Sequence, residues 1–255
     1  MPDAKAIHDP TRLKTLYQDE EVAEDYIDTR FRRPLGQHLH LRQVAFLQRS
    51  IDAVKPRFIL ELAPGPARVT TELKAFEQGT ALDASPAMLT RARERLVACG
   101  RADRWTLCRG DAFSLPIGNE SVDFAYSLRF IRHFKTENRH ALYSEIRRVM
   151  RPGALLCFDA VDAKVAIPYR RRRGFENYPI YDVMYEDLSQ LEEEVSENGF
   201  RLANSTAISR MVEVQEILTR FDRVGLGRPA RMLISAIDSL VPFPPAEWMV
   251  ACQKV

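Results

Sequence analysis

Two acidic residues, with a turn of prolines and small residues between them, form the most informative pattern in the chain. Glu61 and Asp83 each follow a short apolar run, and they lie 22 residues apart. An acid at the end of the second strand of an α/β unit can accept hydrogen bonds from ribose hydroxyls. The turn at 63–67 would let a ligand approach backbone N–H groups at the start of a helix. The pattern predicts a nucleotide-like ligand, and by itself it also fits a dinucleotide enzyme.

Strands that alternate with helices must position these acids. Apolar residues recur at steps of three and four from 37 to 54, which indicates a helix that packs by one face. Helices are also predicted directly after the turn, where Val69, Leu73 and Phe76 share a face, and over 136–150. Short apolar runs indicate buried strands at 57–63, 80–83, 105–108, 122–126 and 154–158. This alternation is typical of a parallel, doubly wound α/β sheet.

The pattern changes after residue 161, where a run of arginines at 170–173 interrupts the alternation. The elements predicted beyond it are a helix at 186–198, a strand at 200–203, amphipathic stretches at 212–224 and 228–241, and a final strand at 248–252. The two amphipathic stretches are interpreted as a helical insertion before the last strand. Such an insertion would cover a ligand site or, equally well, serve as a packing or dimer element.

Composition limits the classes of protein to consider. The 255 residues are 45% hydrophobic and 28% charged, as in an ordinary globular protein, and the net charge of +2 is too small for nucleic-acid binding across the whole surface. The four cysteines lie far apart without metal-ligand spacing, so neither a disulfide framework nor a metal site is predicted. We find no apolar signal or membrane segment, and expect a cytoplasmic protein without a membrane partner.

Four segments, at 59–67, 81–89, 110–124 and 145–153, carry a resemblance to a known family. In order and spacing the chain resembles the class I S-adenosylmethionine-dependent methyltransferases, in the subgroup that includes ubiquinone- and menaquinone-type and many small-molecule methyltransferases. The resemblance spans approximately residues 55–160.

The resemblance implies a fold and a division of the chain. The expected fold is a Rossmann-like, doubly wound, seven-stranded and mostly parallel α/β sheet with an N-terminal helical cap and a helical insertion before the last strand. We expect a single domain over 1–255. Its parts are a cap at 1–35, a core that binds the methyl donor at 36–161, substrate-side elements with the insertion at 162–245, and the final strand at 246–255.

The resemblance also implies S-adenosylmethionine as the donor, with S-adenosylhomocysteine as its product. Glu61 would lie near the methionine amino group, Asp83 would bind the ribose hydroxyls and Asp111 the exocyclic amine of adenine. The other residues predicted for this site are Ala63, Gly65, Ala84, Met88, Ala112 and Ser127. In the family the turn has alternating glycines, whereas this chain keeps only Gly65 between alanines. Because alanine adopts positive φ less freely, a narrower or differently curved turn is expected.

A small-molecule acceptor is expected beyond the fourth strand. Methyl transfer is an in-line displacement, and a base is needed only when the attacking group must lose a proton. The catalytic candidates are His133 as a base or a packing residue, Arg129 as the partner of an anionic acceptor, and Tyr17 and Tyr26 of the cap as a hydroxyl, an aromatic wall or interface residues. Arg132 is predicted to lie on a solvated face.

Several alternatives stay open at this point. The arginine run at 170–173 fits a solvated surface, an anionic acceptor or a nucleic-acid contact, but no base-methylating motif or RNA-binding module supports nucleic acid as a partner. A homodimer is a further candidate. A nicotinamide-dependent oxidoreductase shares the pattern of acids but requires a GxGxxG turn that is absent here. A non-catalytic relative that keeps the fold as a binding or regulatory subunit is the other alternative.

Overall fold

An eight-stranded sheet forms the centre of the molecule. The computed structural model describes residues 26–27, 30–174 and 183–255. The strands are β1 (Phe58–Leu62), β2 (Gln78–Asp83), β3 (Trp105–Arg109), β4 (Val122–Ser127), β5 (Met150–Asp162), β6 (Met184–Tyr185), β7 (Phe200–Arg210) and β8 (Pro245–Lys254). Seven of them lie in the order β3-β2-β1-β4-β5-β8-β7, and β6 pairs with β5. Neighbouring strands among β1 to β5 are parallel, while β8 is antiparallel to β5 and β7. The expected Rossmann-like sheet is confirmed, with the short β6 in addition.

Helices cover both faces of this sheet. They are α1 (Pro34–Val54), α2 (Pro86–Ala98), α3 (Thr136–Val149), α4 (Ala163–Arg173), α5 (Leu188–Glu197), α6 (Val212–Thr219) and α7 (Gly227–Leu240). One core packs α1 and α2 on the sheet, with Leu47 and Ile51 fully buried, and the other packs α3 and α5, with Ile146 and Val195 fully buried. Because both faces are covered, the central parallel strands are apolar almost throughout.

The sheet has a topological switch point beside β1. This strand pairs with β2 on one side and with β4 on the other, so the loops that follow β1 and β4 leave the sheet in different directions. In doubly wound folds, ligands bind in the crevice that such a switch opens at the carboxyl ends of the strands. Asp83 is the last residue of β2 and lies at this edge.

The segment between β1 and β2 differs from the prediction. A helix is expected there, but residues 65–72 form successive turns. Ala67 and Ala75 adopt left-handed φ angles of 57° and 66°, which interrupt helical geometry at the two ends of this segment. The helix prediction was wrong because the spacing of Val69, Leu73 and Phe76 reports only their burial, which this irregular segment also achieves.

The predicted helical insertion is present between β7 and β8. It consists of α6, a short 3₁₀ helix at Arg220–Val224 and α7. Two strands around it are longer than predicted, because β8 pairs along most of the length of both β5 and β7. The run 170–173, expected to interrupt the alternation, forms the end of α4. Most of the predicted N-terminal cap, including Tyr17, lies outside the described residues.

One buried carboxylate connects the insertion to the rest of the fold. Asp238 of α7 is fully buried and accepts hydrogen bonds from His38 of α1 at 2.9 Å and Gln215 of α6 at 3.2 Å. It also accepts from the backbone N–H groups of Ser209 and Arg210 at the end of β7. Burial raises the pKa of Asp238, but these hydrogen bonds outweigh burial, and the net pKa is lowered. A single ionised group therefore fixes α6 and α7 against α1 and β7.

Candidate functional site

A cleft opens at the carboxyl ends of β1, β2 and β4 and beside the loop after β3. It contains about 830 Å³ of empty space, counting its open mouth. Ten of the thirteen residues predicted from the sequence line it: Tyr26, Ala63, Gly65, Asp83, Ala84, Met88, Asp111, Ala112, Arg129 and His133. Glu61 and Ser127 do not line it, and Tyr17 is not described.

Asp83 holds the turn after β1 against the end of β2. Its two carboxylate oxygens accept from the backbone N–H groups of Gly65, at 3.0 Å, and Ser85, at 2.9 Å. Burial raises the pKa of Asp83, and these hydrogen bonds oppose the rise. Because each carboxylate oxygen can accept more than one hydrogen bond, Asp83 keeps capacity for a ligand hydroxyl.

The turn itself has an unusual backbone. Ala63, Gly65 and Ala67 all adopt left-handed φ angles of 54°, 55° and 57°, alternating with the two prolines. The N–H groups of these three residues already donate within the protein, to Leu82 O, Asp83 Oδ2 and Pro64 O. Prolines have no N–H. From 63 to 67 the turn therefore offers a ligand no unused backbone donor, contrary to the expectation of donors at a helix start.

A second acid lies across the cleft in the loop after β3. Asp111 Oδ1 accepts from the backbone N–H of Phe113 at 3.1 Å, and a bridge to Ser114 closes the loop. The side chains of Met88 and Ala112 are buried nearby and line the cleft with it. The cleft thus combines two carboxylates with apolar walls.

Glu61 and Ser127 lie behind the lining of the cleft. Glu61 is 4% exposed and accepts from the hydroxyls of Thr70 and Tyr126, both at 2.6 Å. Burial raises the pKa of Glu61 to about 7, although these hydrogen bonds oppose the rise. Ser127 is fully buried and donates to Leu62 O at 3.0 Å. Both side chains stabilise the strands beneath the cleft.

The loop after β4 forms the opposite wall. Arg129 has a left-handed φ of 58°, and its backbone N–H donates to Asp159 Oδ1 at 2.5 Å. Arg132 is 3% exposed and donates to Asp159 Oδ2 and Glu247 Oε1, both at 2.9 Å. The prediction of a solvated Arg132 was wrong, because its guanidinium joins this loop to β5 and β8. Sequence reasoning missed Asp159, for which an acid within a buried strand was the available signal.

His133 closes a short 3₁₀ helix, Ile131–His133, in the same loop. The ring is buried, at 5% exposure, and lines the cleft. Phe130 and Phe134 flank it in sequence and stack edge to face, with ring centroids 4.9 Å apart. An imidazole on an aromatic wall beside a cleft can accept a proton where little water is present.

The arginine run at 170–173 is engaged by the insertion. Arg172 pairs with Glu213, with Arg172 Nε 2.7 Å from the carboxylate, and Arg173 pairs with Glu216. Glu216 also accepts from the hydroxyl of Tyr169. These contacts join α4 to α6, so the run is a structural connection as well as a charged surface.

Within the described residues, no group of three or more His, Cys, Asp or Glu side chains is arranged to hold a metal ion. The four cysteines are free thiols. No described helix is both long enough and apolar enough to cross a membrane.

Comparison with known proteins identifies the central part of the chain. Residues 59–153 match the family described as "Methyltransferase domain". A ubiquinone/menaquinone biosynthesis C-methyltransferase UbiE from Paracoccus denitrificans is 38% identical over 97 residues, which are 38% of this chain and 34% of that protein. A demethylmenaquinone methyltransferase from Lactiplantibacillus plantarum is 32% identical over 130 residues, which are 49% of this chain and 53% of that protein. The chain thus matches about a third to a half of the length of these relatives.

A solved structure extends the likeness to most of the fold. The magnesium protoporphyrin IX methyltransferase from Synechocystis, solved with bound SAH, superposes with a TM-score of 0.61 at 12% identity. The match covers 87% of this chain and 86% of that one. At this identity the likeness concerns the fold. Together with the family match, it confirms the resemblance inferred from the four sequence segments.

Proposed function

We propose that this chain transfers a methyl group from S-adenosylmethionine to a small-molecule acceptor, because residues 59–153 match the family described as "Methyltransferase domain". The observation that supports this most directly is the cleft at the switch point, where Asp83 and Asp111 face a common space with apolar walls. The names of the two relatives, which refer to ubiquinone/menaquinone biosynthesis and to demethylmenaquinone, support a small molecule over a macromolecule.

The residues of the cleft fit S-adenosylmethionine chemically. Asp83 would accept from the ribose hydroxyls and Asp111 from the exocyclic amine of adenine, while Met88, Ala84 and Ala112 would contact the adenine ring. When bound, the donor supplies a sulfonium methyl that passes to a nucleophilic oxygen, nitrogen, sulfur or carbon atom, leaving S-adenosylhomocysteine. Glu61, whose carboxylate is held by Thr70 and Tyr126, would act on the methionine amino group only through the electrostatic field beneath the cleft.

The turn after β1 also favours this donor over a dinucleotide. Dinucleotide enzymes bind a pyrophosphate with unused backbone N–H groups at a helix start. Here the donors at 63, 65 and 67 are engaged, positions 64 and 66 are prolines, and no helix follows. S-adenosylmethionine has no phosphate and does not need those donors.

The wall formed by the loop after β4 would face the acceptor. His133 would take the proton that an acceptor hydroxyl or amine loses, and its burial on an aromatic wall would keep bulk water away from the reacting atoms. Arg129 would orient an anionic group of the acceptor through its guanidinium. Tyr26 also lines the cleft and would contribute to this wall.

Calorimetric titration with S-adenosylhomocysteine tests the donor site. We expect micromolar binding to the wild type and at least tenfold weaker binding to Asp83→Asn, because a hydrogen bond to a charged group contributes about 1.5–3 kcal/mol. Asp103→Asn, at an exposed acid beyond α2, is the matched control and should bind like the wild type. A wild type that binds neither S-adenosylhomocysteine nor S-adenosylmethionine would overturn the proposal.

The turn has alanines at 63 and 67, where the family has glycines, and this difference leaves a non-catalytic subunit as the alternative function. A chain that binds the donor tightly yet transfers no methyl group to any member of a broad acceptor panel would be a non-catalytic subunit. Transfer of a radiolabelled methyl group to any acceptor, abolished by Asp83→Asn, would exclude that alternative.

A further inference from the structure

A second cavity adjoins the donor cleft on the side of the insertion. It contains about 1590 Å³ of empty space including its mouth, roughly twice that of the cleft measured the same way. Helices α1, α4 and α6 and strand β8 contribute to its walls, together with Arg30 and Phe31. Arg129 lines both spaces, so the cleft and the cavity meet at this residue.

Arg129 presents unused hydrogen-bonding capacity at this junction. Its left-handed backbone is held by Asp159, which Arg132 fixes in turn. A non-glycine residue in this conformation is strained and persists where surrounding contacts impose it. Arg129 Nε is buried and has no hydrogen-bond partner among the described residues. The loop therefore places this guanidinium between the two spaces.

The charges around the cavity are predominantly positive. Four arginines and two glutamates line it. Both acids already have cationic partners, since Glu216 pairs with Arg173 and Glu247 pairs with Arg132. Arg129 and Arg220 have no ion pair within the described part of the chain. The remaining field therefore favours an anion.

Apart from Tyr169 and Ser209, the rest of the lining is apolar. Phe31, Leu35 and Leu39 lie on one wall, and Val212 and Ala246 lie on others. An occupant with a hydrophobic body would bury its surface against them, and only an anionic group on that body would use the arginines. A purely polar anion would leave these walls without a contact.

We propose that this cavity binds the methyl acceptor, and that the acceptor is a small amphipathic acid whose anionic group is held by Arg129 and Arg220 while its apolar body lies along Leu35, Leu39 and Val212. This inference rests on the proposed methyl transfer, because the cavity adjoins the donor cleft at Arg129. Arg129 and Arg220 are then the residues that select a charged acceptor over a neutral one.

Binding of matched acid and amide probes tests this selection without knowledge of the natural acceptor. The probes are 2-naphthoate and decanoate, each compared with its neutral amide by calorimetry on the full chain. We expect each acid to bind at least tenfold more tightly than its amide. Arg129→Gln should weaken acid binding about tenfold, since a hydrogen bond between charged groups contributes more than a neutral one. The exposed Arg220→Gln should weaken it about threefold.

Arg93→Gln, at an exposed arginine of α2 remote from both spaces, is the control and should bind all probes like the wild type. Three results would each overturn the inference: acids that bind no more tightly than their amides, acids that fail to bind at millimolar concentration, or probe affinities that are unchanged in both arginine variants. Titration of the same samples with S-adenosylhomocysteine separates the two claims. Normal donor binding without acid selectivity refutes only the acceptor class, whereas acid selectivity without donor binding refutes the proposed function.

Discussion

Replacing left-handed alanines by glycine should stabilise the protein by an amount that depends on burial. Ala63 and Ala75 have φ angles of 54° and 66°, and neither is buried. An alanine in this conformation costs about 1–2 kcal/mol, and glycine removes that cost. Glycine also makes the unfolded chain more flexible, which lowers the stability of the folded protein by about 0.4–1 kcal/mol. The net expectation for Ala63→Gly and Ala75→Gly is a stabilisation of about 0.5–1 kcal/mol.

Ala67 provides the internal comparison. Its φ of 57° implies the same strain, but its methyl group is fully buried. Removing a buried methyl group costs about 0.8 kcal/mol. Strain relief and lost burial should then nearly cancel, so the stability of Ala67→Gly should stay within about 0.5 kcal/mol of the wild type.

Urea unfolding at 25 °C, followed by circular dichroism, measures all three variants. Thermal midpoints should rise by roughly 1–4 °C for Ala63→Gly and Ala75→Gly. Since Ala63→Gly should preserve the turn, its affinity for S-adenosylhomocysteine should stay within about threefold of the wild type. A destabilised Ala75→Gly, at a position remote from the cleft, would refute the assignment of strain to these residues. A stabilised Ala75→Gly together with a destabilised Ala63→Gly would show that the turn needs the stiffness of alanine.

Three further predictions concern buried ionisable groups. Because the pKa of Glu61 rises on folding from 4.5 to about 7, stability should fall as the pH increases between these values, by on the order of 3 kcal/mol. Glu61→Gln should remove that dependence, and an unchanged pH profile in urea unfolding would contradict it. Asp238→Ala should lower stability by about 3–5 kcal/mol at pH 7, because it leaves His38 and two N–H groups without their acceptor. Since the folded pKa of Asp238 lies below its ordinary 3.8, that contribution should be lost only as the pH falls below about 4, which acid titration of both proteins would measure. His133→Asn should reduce kcat about 100-fold or more with little effect on KM for a hydroxyl or amine acceptor, and a kcat within threefold of the wild type would exclude His133 as the base.

Local patterns in the sequence predicted most of the sheet and most of the cleft. The first five strands are buried parallel strands, which appear in the sequence as short apolar runs. Asp83 follows such a run directly, and so its place at the carboxyl edge of the sheet follows from the order of residues alone. Asp111 was predicted from its family motif and lines the same cleft.

Features that depend on distant partners could not be predicted in this way. Arg132 has its partners 27 and 115 residues away, at Asp159 and Glu247, and nothing in its neighbourhood distinguishes it from a solvated arginine. His38 and Asp238 are 200 residues apart. The turn after β1 was mispredicted for a different reason. Helical spacing of apolar residues reports their burial, and it does not reveal the left-handed φ angles of Ala67 and Ala75 that interrupt the helix.

The position of β8 within the sheet has a consequence for the order in which the protein forms on the ribosome. This strand lies between β5 and β7, and its Glu247 holds Arg132 in the loop that lines the cleft. Asp159 leaves the ribosome 88 residues before Glu247 does, a delay of roughly 4–18 s at ordinary rates of synthesis. Until then the nascent chain has the parallel strands β1 to β5 but lacks Glu247, which Arg132 contacts. Final assembly of the cleft wall formed by the loop after β4 is therefore a late event in biosynthesis.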